Sequence, residues 1–379
     1  MLKIVADENL EYPLELFSQF GEVKLINGRK ITNSILKDAD ALIVRSVTEV
    51  NEALMSGTKV KFVGTATIGT DHIDAQYLKS RGIVFASAPG CNSYAVAEYV
   101  LSSLLLLAVK DEFSLKNKTI GVVGIGNVGS KVVRFCEALG MKVLKNDPPL
   151  YRKGELDTSV ELNEILDADI VSIHVPLTFE GEDKTHNLFD LEKLERLKDN
   201  SILINTSRGS IVTEKALIGL IDKKNLSVIS DVWENEPAIN NELLNKAAIG
   251  TPHIAGYSLE GKVNGTIMVY EALAEFLCKE KNINISLPPV AHNKLDFDFS
   301  ESEEAILNKI IKCIYNIESD HKRLLKINTF GFNDSGKYFD KLRKEYPLRR
   351  EFNNYSVTMN KPDVQTKRKL IALRFAVNV

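Results

Sequence analysis

A glycine-rich segment directly after a strand-like run constrains the fold of this chain more than any other feature. Residues 119–129 read TIGVVGIGNVG, and the helix-like segment SKVVRFCEALG follows them. In this context Gly124 permits a tight turn, Gly126 lets the backbone approach a pyrophosphate, and Gly129 allows close helix packing. The amino terminus of the helix supplies N–H donors for that anion, so the segment predicts a parallel α/β domain that binds a dinucleotide. The predicted dinucleotide contacts in this segment are Gly124, Gly126, Asn127, Val128 and Gly129.

A carboxylate at the end of the next strand candidate indicates which dinucleotide binds. Asp147 directly follows the strand-like run at residues 142–146. A carboxylate at this position accepts hydrogen bonds from the ribose hydroxyls and repels a 2′-phosphate. The sequence therefore predicts NAD as the cofactor, in preference to NADP.

Strand candidates alternate with helix-length segments in two successive series. The first series has runs at residues 2–6, 41–46, 61–66 and 83–88, and the second has runs at 119–124, 142–146, 170–174, 201–205, 227–231 and 248–250. Apolar strands separated by helices predict parallel sheets that are covered on both faces. A connecting helix is predicted over Ser93–Val109, and the helix predicted at Leu259–Lys279 returns to the first domain. The predicted fold class is α/β, with two doubly wound, Rossmann-like domains.

The chain after about residue 290 has a different character. Ser300 and Glu303 are predicted to form a capping box. One apolar helix face follows, which consists of Ile306, Leu307, Ile310, Ile311, Ile314 and Ile317. So small a segment gains a core by packing on another surface, and dimerisation is the simplest way to do so. The predicted domains are residues 1–95 with 259–286 for substrate, residues 96–258 for NAD, and a small α+β dimerisation domain at residues 287–379.

The composition argues against several classes of partner. There are 48 lysines and arginines against 51 aspartates and glutamates, a net charge of −3, so no basic field draws the chain onto nucleic acid or anionic lipid. The apolar stretch Val100–Val109 is about half of the ~20 residues that cross a bilayer, and the N-terminal residues lack a secretory pattern. The cysteines are widely separated and form no zinc-binding motif. These features predict a cytoplasmic protein without a metal, nucleic-acid or membrane partner.

Three strand ends of the second series carry residues that suit the oxidation of an alcohol. Arg208 lies in INTSRGS, Glu236 in DVWENEP and His253 in GTPHIAG, and a doubly wound sheet brings such strand ends together. His253 is predicted to accept the hydroxyl proton as hydride leaves, with Glu236 orienting the imidazole. Arg208 is predicted to hold a substrate carboxylate through two hydrogen bonds. Taken singly, each residue also fits a structural role, and His174 is predicted only to shape the pocket.

Five motifs in a fixed order resemble a known enzyme family. GIGNVG, HVPLT, INTSRGSIV, DVWENEP and TPHIAG together are similar to the D-2-hydroxyacid dehydrogenases over roughly residues 1–280. In that family the residues that match Arg208, Glu236 and His253 form the catalytic set. The resemblance therefore implies the same chemistry that the residues themselves suggest.

Finer motifs resemble one subgroup of that family. They are ADENLEY, VRSVTEVN, GTATIGTDHID, APGCNSYAVAEYV and PHIAGYSLEGK. The resemblance implies the activity of that subgroup, the oxidation of a phosphorylated 2-hydroxy acid in pyridoxal phosphate synthesis. By this resemblance Ser46, Thr67 and Tyr257 contact the substrate, and Asp231 and Gly256 contact NAD. The subgroup also carries a C-terminal dimerisation domain, so the resemblance implies a homodimer.

The phosphate of such a substrate requires cations, and the sequence leaves their identity open. Arg45, at the end of a strand candidate, is predicted as one ligand. A second candidate source of cations is a basic stretch that consists of Lys341, Arg343, Lys344, Arg349 and Arg350. The alternative interpretation of this stretch is a solvated basic face. Two alternative functions also remain: another 2-hydroxy acid as substrate, such as 3-phosphoglycerate, glyoxylate, hydroxypyruvate or D-lactate, and a dinucleotide-sensing binding protein.

Overall fold

The computed structural model describes residues 1–297, 301–359 and 364–378. The chain divides into two compact units, residues 1–92 with 258–289 and residues 93–257 with 290–379. The strands in chain order are β1 (Leu2–Asp7), β2 (Gly21–Ile26), β3 (Ala41–Val44), β4 (Phe62–Thr65), β5 (Val84–Ala86), β6 (Thr119–Val123), β7 (Lys142–Asn146), β8 (Ile170–Ile173), β9 (Ile202–Asn205), β10 (Ser227–Ser230), β11 (Ile249–Gly250), β12 (Lys294–Phe297), β13 (Ser356–Met359) and β14 (Ala376–Asn378).

The α-helices in chain order are α1 (Pro13–Phe17), α2 (Asn33–Leu36), α3 (Glu52–Met55), α4 (Ala75–Ser80), α5 (Ser93–Lys110), α6 (Gly129–Ala138), α7 (Pro148–Arg152), α8 (Leu162–Ile165), α9 (Leu191–Arg196), α10 (Glu214–Lys224), α11 (Asn241–Lys246), α12 (Leu259–Phe276), α13 (Glu303–Ile314), α14 (Ile317–Leu325), α15 (Phe332–Lys344) and α16 (Val364–Ala372). Short 3₁₀ segments lie at Gly28–Lys30, Leu115–Asn117, Gly209–Ile211, Lys326–Thr329 and Phe352–Asn354.

The first unit is built on a five-stranded parallel sheet in the order β2-β1-β3-β4-β5. The sequence predicted four of these strands and missed β2. This edge strand exposes Glu22 and Lys24 to solvent, so it lacks the continuous apolar run of a central strand. Helix α12 packs on β4. Gly64 permits this contact, because a Cβ atom at that position would overlap the side chain of Val269.

The second unit is built on a six-stranded parallel sheet in the order β11-β10-β9-β8-β6-β7. The order reverses between β6 and β8, and ligands of such sheets bind beyond the carboxyl ends of strands at this kind of switch point. All six predicted strands of the second series are present, and the predicted fold class is confirmed.

Helix α5 is the most apolar long helix of the second unit. It is long and apolar enough to cross a membrane by length and composition, and 78% of its apolar window is buried inside the structure. Leu101, Leu104 and Leu105 pack with α6 and the sheet in one hydrophobic core. The helix therefore has the burial expected of a core helix.

The C-terminal segment shares its hydrophobic cores with the six-stranded sheet. Helices α13 and α16 pack with α5 and α6, whereas Leu324, Ile327 and Phe339 join the core on the other face. Strands β12, β13 and β14 form a small parallel sheet. The contacts thus group residues 290–379 with 93–257, and the three predicted domain ranges stay predictions.

The start of α13 corrects one local prediction. Ser300, predicted to begin a capping box with Glu303, lies outside the described residues. The N-cap residue is Ser302, whose hydroxyl accepts a hydrogen bond from the Ala305 N–H at 3.3 Å. Glu303 instead pairs with Lys369.

Candidate active site

The glycine-rich turn connects β6 to α6. Gly124 has a φ of 87°, and a Cβ atom there would lie 2.8 Å from the backbone of His174. A Cβ atom on Gly129 would overlap the carbonyl oxygen of Gly124, so both glycines are required by the fold. A Cβ atom on Gly126, by contrast, would meet no described atom within 4 Å. This open space above the backbone, next to the amino terminus of a ten-residue helix, fits the pyrophosphate of a dinucleotide.

Asp147 ties the end of β7 to this turn. Its Oδ2 accepts a hydrogen bond from the Ile125 N–H at 2.7 Å, and its Oδ1 accepts one from the Leu150 N–H at 3.0 Å. A carboxylate oxygen has a second lone pair, so these bonds leave acceptor capacity for ribose hydroxyls. The side chain therefore both shapes the turn and lies where a ribose contact is predicted.

The side chains of Glu236 and His253 form a hydrogen-bonded pair beyond the ends of β10 and β11. Glu236 Oε2 lies 2.7 Å from His253 Nδ1, and Glu236 Oε1 accepts a hydrogen bond from the Trp233 N–H at 3.0 Å. His253 has a φ of 56°, which is uncommon for a residue with a side chain. The structure thus brings together two of the three predicted catalytic residues.

The electrostatics of the pair favour an ionised Glu236. Burial raises the pKa of Glu236, but the charge and hydrogen bond of His253, the charge of Arg343 and the Trp233 N–H together lower it below its ordinary value. An ionised Glu236 requires the proton of His253 on Nδ1, because that atom must donate. The Nε2 atom of a neutral His253 is then the acceptor for a proton.

Asp231 holds the loop that carries His253. The residue is only 1% exposed, and its carboxylate accepts hydrogen bonds from the Thr251 hydroxyl at 2.6 Å and from the Ile254 and Ala255 N–H groups, each at 2.8 Å. Burial raises the pKa of Asp231. The same loop is held by the Asp231 carbonyl, which accepts from the His253 N–H at 2.8 Å. The NAD contacts predicted for Asp231 and Gly256 stay predictions.

Arg208 lies in the turn after β9, next to the strand that leads to Glu236. Its Nη1 donates to the Ser207 carbonyl at 2.7 Å, and Asn205 Nδ2 donates to the Arg208 carbonyl at 2.9 Å. A Cβ atom on Gly209 would overlap the backbone of Trp233. The Arg208 turn is therefore in direct contact with the loop that contains Glu236.

Tyr257 contacts residues of the C-terminal segment. Its ring is edge-on to Tyr346 with a centroid separation of 5.7 Å. The Arg343 guanidinium lies 5.8 Å from the centroid of the Tyr257 ring and hydrogen-bonds to Tyr257. This arrangement places a cation from α15 beside a residue that was predicted to contact substrate.

The remaining predicted substrate contacts lie in the first unit. Arg45 and Ser46 follow β3, and Arg45 Nη1 donates to the Asn9 carbonyl at 3.3 Å. Thr67 follows β4, and its hydroxyl donates to the Gly69 carbonyl at 2.9 Å. These residues lie beyond the carboxyl ends of neighbouring parallel strands, as the sequence predicted.

The predicted basic stretch is split by the fold. Lys341 and Lys344 are exposed, but Arg349 and Arg350 are only 4% and 7% exposed. Arg349 donates to the Ala95 carbonyl and lies 4.2 Å over the Tyr315 ring, and Arg350 donates to Asn354 Oδ1 at 2.9 Å. A solvated face is therefore wrong for these two arginines, because they are held inside the second unit.

Among the residues that support this site, His174 was predicted to shape the pocket, whereas Trp233 was not predicted from the sequence. His174 lies between Ser172 and Thr206, and burial lowers its pKa to about 3, so its imidazole is neutral. Trp233 Nε1 donates to the Thr251 carbonyl at 2.9 Å and braces the His253 loop. Arg343 was predicted only as one of several basic residues, because charge alone does not show which of them faces a loop distant in sequence. Within the described ranges, no group of His, Cys, Asp or Glu could hold a metal ion.

Comparisons with known proteins agree with this geometry. Residues 108–255 match the family model of the D-isomer specific 2-hydroxyacid dehydrogenase NAD binding domain, and residues 286–373 match a domain of unknown function. The chain is 46% identical over 360 residues to erythronate-4-phosphate dehydrogenase of Escherichia fergusonii, covering 94% of each chain, and 44% identical to that of Cronobacter sakazakii with the same coverage. The prediction of NAD as cofactor is confirmed by the domain match.

Solved structures of related enzymes share the fold. The NAD-bound 3-phosphoglycerate dehydrogenase of Entamoeba histolytica is 26% identical, with a TM-score of 0.65 over 76% of this chain and 99% of that chain. The D-lactate dehydrogenase of Aquifex aeolicus, complexed with NAD and lactic acid, is 25% identical, with a TM-score of 0.61 over 73% of this chain and 95% of that chain.

Proposed function

The chain belongs to the erythronate-4-phosphate dehydrogenase family of D-isomer specific 2-hydroxyacid dehydrogenases, and we propose that it oxidises 4-phospho-D-erythronate with NAD. The product is (R)-3-hydroxy-2-oxo-4-phosphooxybutanoate, an intermediate on the route to pyridoxal 5′-phosphate. The observation that carries this proposal is the Glu236–His253 pair, held at 2.7 Å beyond two neighbouring strand ends.

His253 acts as the base in this proposal. Oxidation of the C2 hydroxyl releases one proton and one hydride, and bound NAD supplies the hydride acceptor. His253 Nε2 takes the proton, while ionised Glu236 stabilises the imidazolium that forms. In the reverse direction the same imidazolium returns the proton to the C2 oxygen. Glu236 therefore positions and stabilises His253 without itself contacting the substrate.

Arg208 binds the substrate in this proposal. A guanidinium matches a carboxylate through two parallel hydrogen bonds and also polarises the adjacent C2 oxygen. Ser46, Thr67 and Tyr257 are proposed as further substrate contacts, and Arg45 as a ligand of the phosphate. NAD is proposed to contact the backbone of residues 124–129 and the side chains of Asp147 and Asp231, with Gly256.

The substrate is tested by a steady-state assay with a panel of acids. Purified protein receives 4-phospho-D-erythronate, 3-phosphoglycerate or D-lactate, with NAD or, in a second series, with a 2-oxo acid as electron acceptor. We expect the highest kcat/KM for 4-phospho-D-erythronate. A higher kcat/KM for another acid would agree with the proposed oxidation of a 2-hydroxy acid but refute 4-phospho-D-erythronate as the substrate. Binding of NADH without turnover of any acid would favour a dinucleotide sensor.

The phosphate ligand is tested by pairing substrates that differ only in the phosphate. Arg45→Ala should raise KM for 4-phospho-D-erythronate about tenfold or more, because a charged hydrogen bond contributes about 1.5–3 kcal/mol. The KM for D-erythronate should change much less. An equal change for both acids would remove Arg45 from the phosphate site.

NAD binding is tested at the open glycine. Gly126→Ala should weaken NAD binding, since its Cβ atom would occupy the space proposed for the pyrophosphate, and should leave the melting temperature unchanged. Gly219→Ala is the matched control, because a Cβ atom there also meets no described atom within 4 Å. Equal NAD affinity in both variants would contradict the proposed pyrophosphate position.

The assembly and location of the protein are proposed more briefly. A cytoplasmic homodimer formed through the C-terminal segment agrees with the apolar side chains that this segment exposes. In the part of the segment that the structure describes, these are Phe330, Leu348, Val364 and Ile371. Light scattering of the full chain after size-exclusion chromatography tests the dimer, and a monomeric mass at micromolar concentration would refute it.

A further inference from the structure

Helix α15 lies along the loop that carries Glu236. A Cβ atom on Gly336 would be 3.4 Å from the Pro237 ring, so the helix backbone approaches this loop closely. Phe339, one turn later, is fully buried in the hydrophobic core of the second unit. Tyr338 donates to the Arg323 carbonyl at 2.9 Å. These contacts fix the position of α15, and Arg343 lies two turns after Gly336, on the same face of the helix.

Arg343 uses this position to reach two residues of the candidate active site. Its guanidinium hydrogen-bonds to Tyr257, and its charge acts on the carboxylate of Glu236. Its Nε is buried and has no hydrogen-bond partner among the residues that the structure describes. A buried donor without a partner is costly, so the position of this side chain is not explained by the packing of α15 alone.

We infer that Arg343 is a positioning residue of the catalytic pair: it orients Tyr257 and places a permanent positive charge beside the Glu236 carboxylate. The inference rests on the proposed function and deepens it, because it gives the C-terminal segment a direct part in the chemistry. An arginine suits this role since its charge does not titrate in the working range of an enzyme.

The charges around the pair show why a cation is required there. Burial, and next the charges of Glu234 and Glu236, raise the pKa of Glu214. The Glu214 carboxyl accepts a hydrogen bond from the Glu234 N–H at 2.7 Å, so it lies against the same loop. The charge of Asp231 also interacts with His253, and the charge of Asp340 interacts with Arg343. Without Arg343 this surrounding negative charge would stabilise the protonated form of the Glu236–His253 pair.

The experiment compares the pH profile of kcat/KM in the wild type and in Arg343→Gln. Loss of the charge should move the acid limb of the profile to higher pH by about one unit. At pH values above the shifted limb, the kcat/KM of Arg343→Gln should recover towards the wild-type value. Arg343→Lys, which keeps the charge, should restore most of the wild-type limb. Lys337→Gln removes the same charge from an exposed position of the same helix and should leave the limb unchanged.

A second readout does not depend on turnover. In protein labelled with ¹³C at the glutamate carboxyl groups, the Glu236 signal is assigned by its absence in Glu236→Gln. Its pKa should be higher in Arg343→Gln than in the wild type. If the wild type oxidises none of the acids in the panel, the proposed function fails, and this titration still decides the role of Arg343.

Two results would overturn the inference. One is an Arg343→Gln variant that melts at the wild-type temperature and keeps both the wild-type acid limb and the wild-type titration of Glu236. The other is an equal loss of activity at every pH, with a lower melting temperature that Arg343→Lys does not restore. The latter would show that Arg343 serves only the packing of α15.

Discussion

Two clusters in the second unit each pair glutamate with a basic side chain, but they lie in opposite environments. The Glu236 and His253 side chains are 21% and 32% exposed at the ends of strands. Glu98 and Glu351, by contrast, share Arg374 inside the unit, with side chains that are 0%, 4% and 17% exposed. The first pair keeps a group that can exchange a proton with a ligand. The second cluster can only hold the C-terminal segment on helix α5.

The energetics of the two clusters differ for the same reason. Arg374 Nη1 lies 2.8 Å from Glu351 Oε2 and 3.4 Å from Glu98 Oε1. Burial, and next the charge of Glu351, raise the pKa of Glu98 well above its ordinary value, whereas that of Glu236 is lowered. A charged cluster is therefore a candidate site only where its protons can reach a substrate. A cluster that is buried away from any ligand has a structural role.

The largest effect is expected at the base of the exposed pair. His253→Ala should lower kcat/KM by about 10²- to 10⁴-fold, the usual contribution of a positioned general base. The melting temperature should stay near that of the wild type. His292→Ala, at an exposed position, is the control and should be fully active. Unchanged turnover in His253→Ala would show that the pair is not the catalytic centre.

The next effect is expected at the cation of the buried cluster. Arg374→Met leaves two buried carboxyl groups without the cation that both of them contact, which should lower the free energy of unfolding by about 3–5 kcal/mol. Denaturant unfolding measures this loss, and the folded fraction should retain its kcat. Arg152→Met removes an arginine from an exposed ion pair and should leave stability unchanged. Equal stability of the two variants would contradict the difference between the clusters.

A smaller effect is expected at Glu236. Glu236→Gln keeps the size of the side chain but removes the charge that stabilises the imidazolium. A hydrogen bond to a charged group contributes about 1.5–3 kcal/mol, so kcat/KM should fall about ten- to a hundredfold while the fold is retained. A loss as large as that of His253→Ala, measured under the same conditions, would instead give Glu236 a direct part in the reaction.

The smallest effect is a change in the pH dependence of stability. Because the pKa of Glu98 is raised in the folded state, the folded protein binds this proton more tightly than the unfolded chain. The stabilisation that this proton gives to the folded state is fully present below the ordinary glutamate pKa. It is lost as pH rises towards the raised pKa of Glu98. Glu98→Gln mimics the protonated carboxyl, so the free energy of unfolding should decline less between pH 5 and 8 (~1 kcal/mol less). An identical slope in both proteins would show that Glu98 is ionised.

Much of the exposed site could be predicted from the sequence, and almost none of the buried cluster. Arg208, Glu236 and His253 lie in short motifs after strands, where parallel topology brings side chains together. Glu98 lies in one of the quoted family motifs, but Arg374 is far from it in the chain and no sequence pattern pairs the two. Arg343 was recognised only as part of a basic stretch, since its neighbour Lys344 has the same charge and faces solvent.

The sequence by itself determined the parallel sheets, the glycine-rich turn and the strand ends that carry the catalytic pair. These features depend on residues close together in the chain, whose periodicity and backbone preferences are local properties. Only the tertiary structure decided that β2 forms the edge of the first sheet, that Asp231 holds the His253 loop, and that α15 brings Arg343 to Tyr257. Such contacts join distant segments, and their partners are selected by packing and burial, which no local pattern encodes.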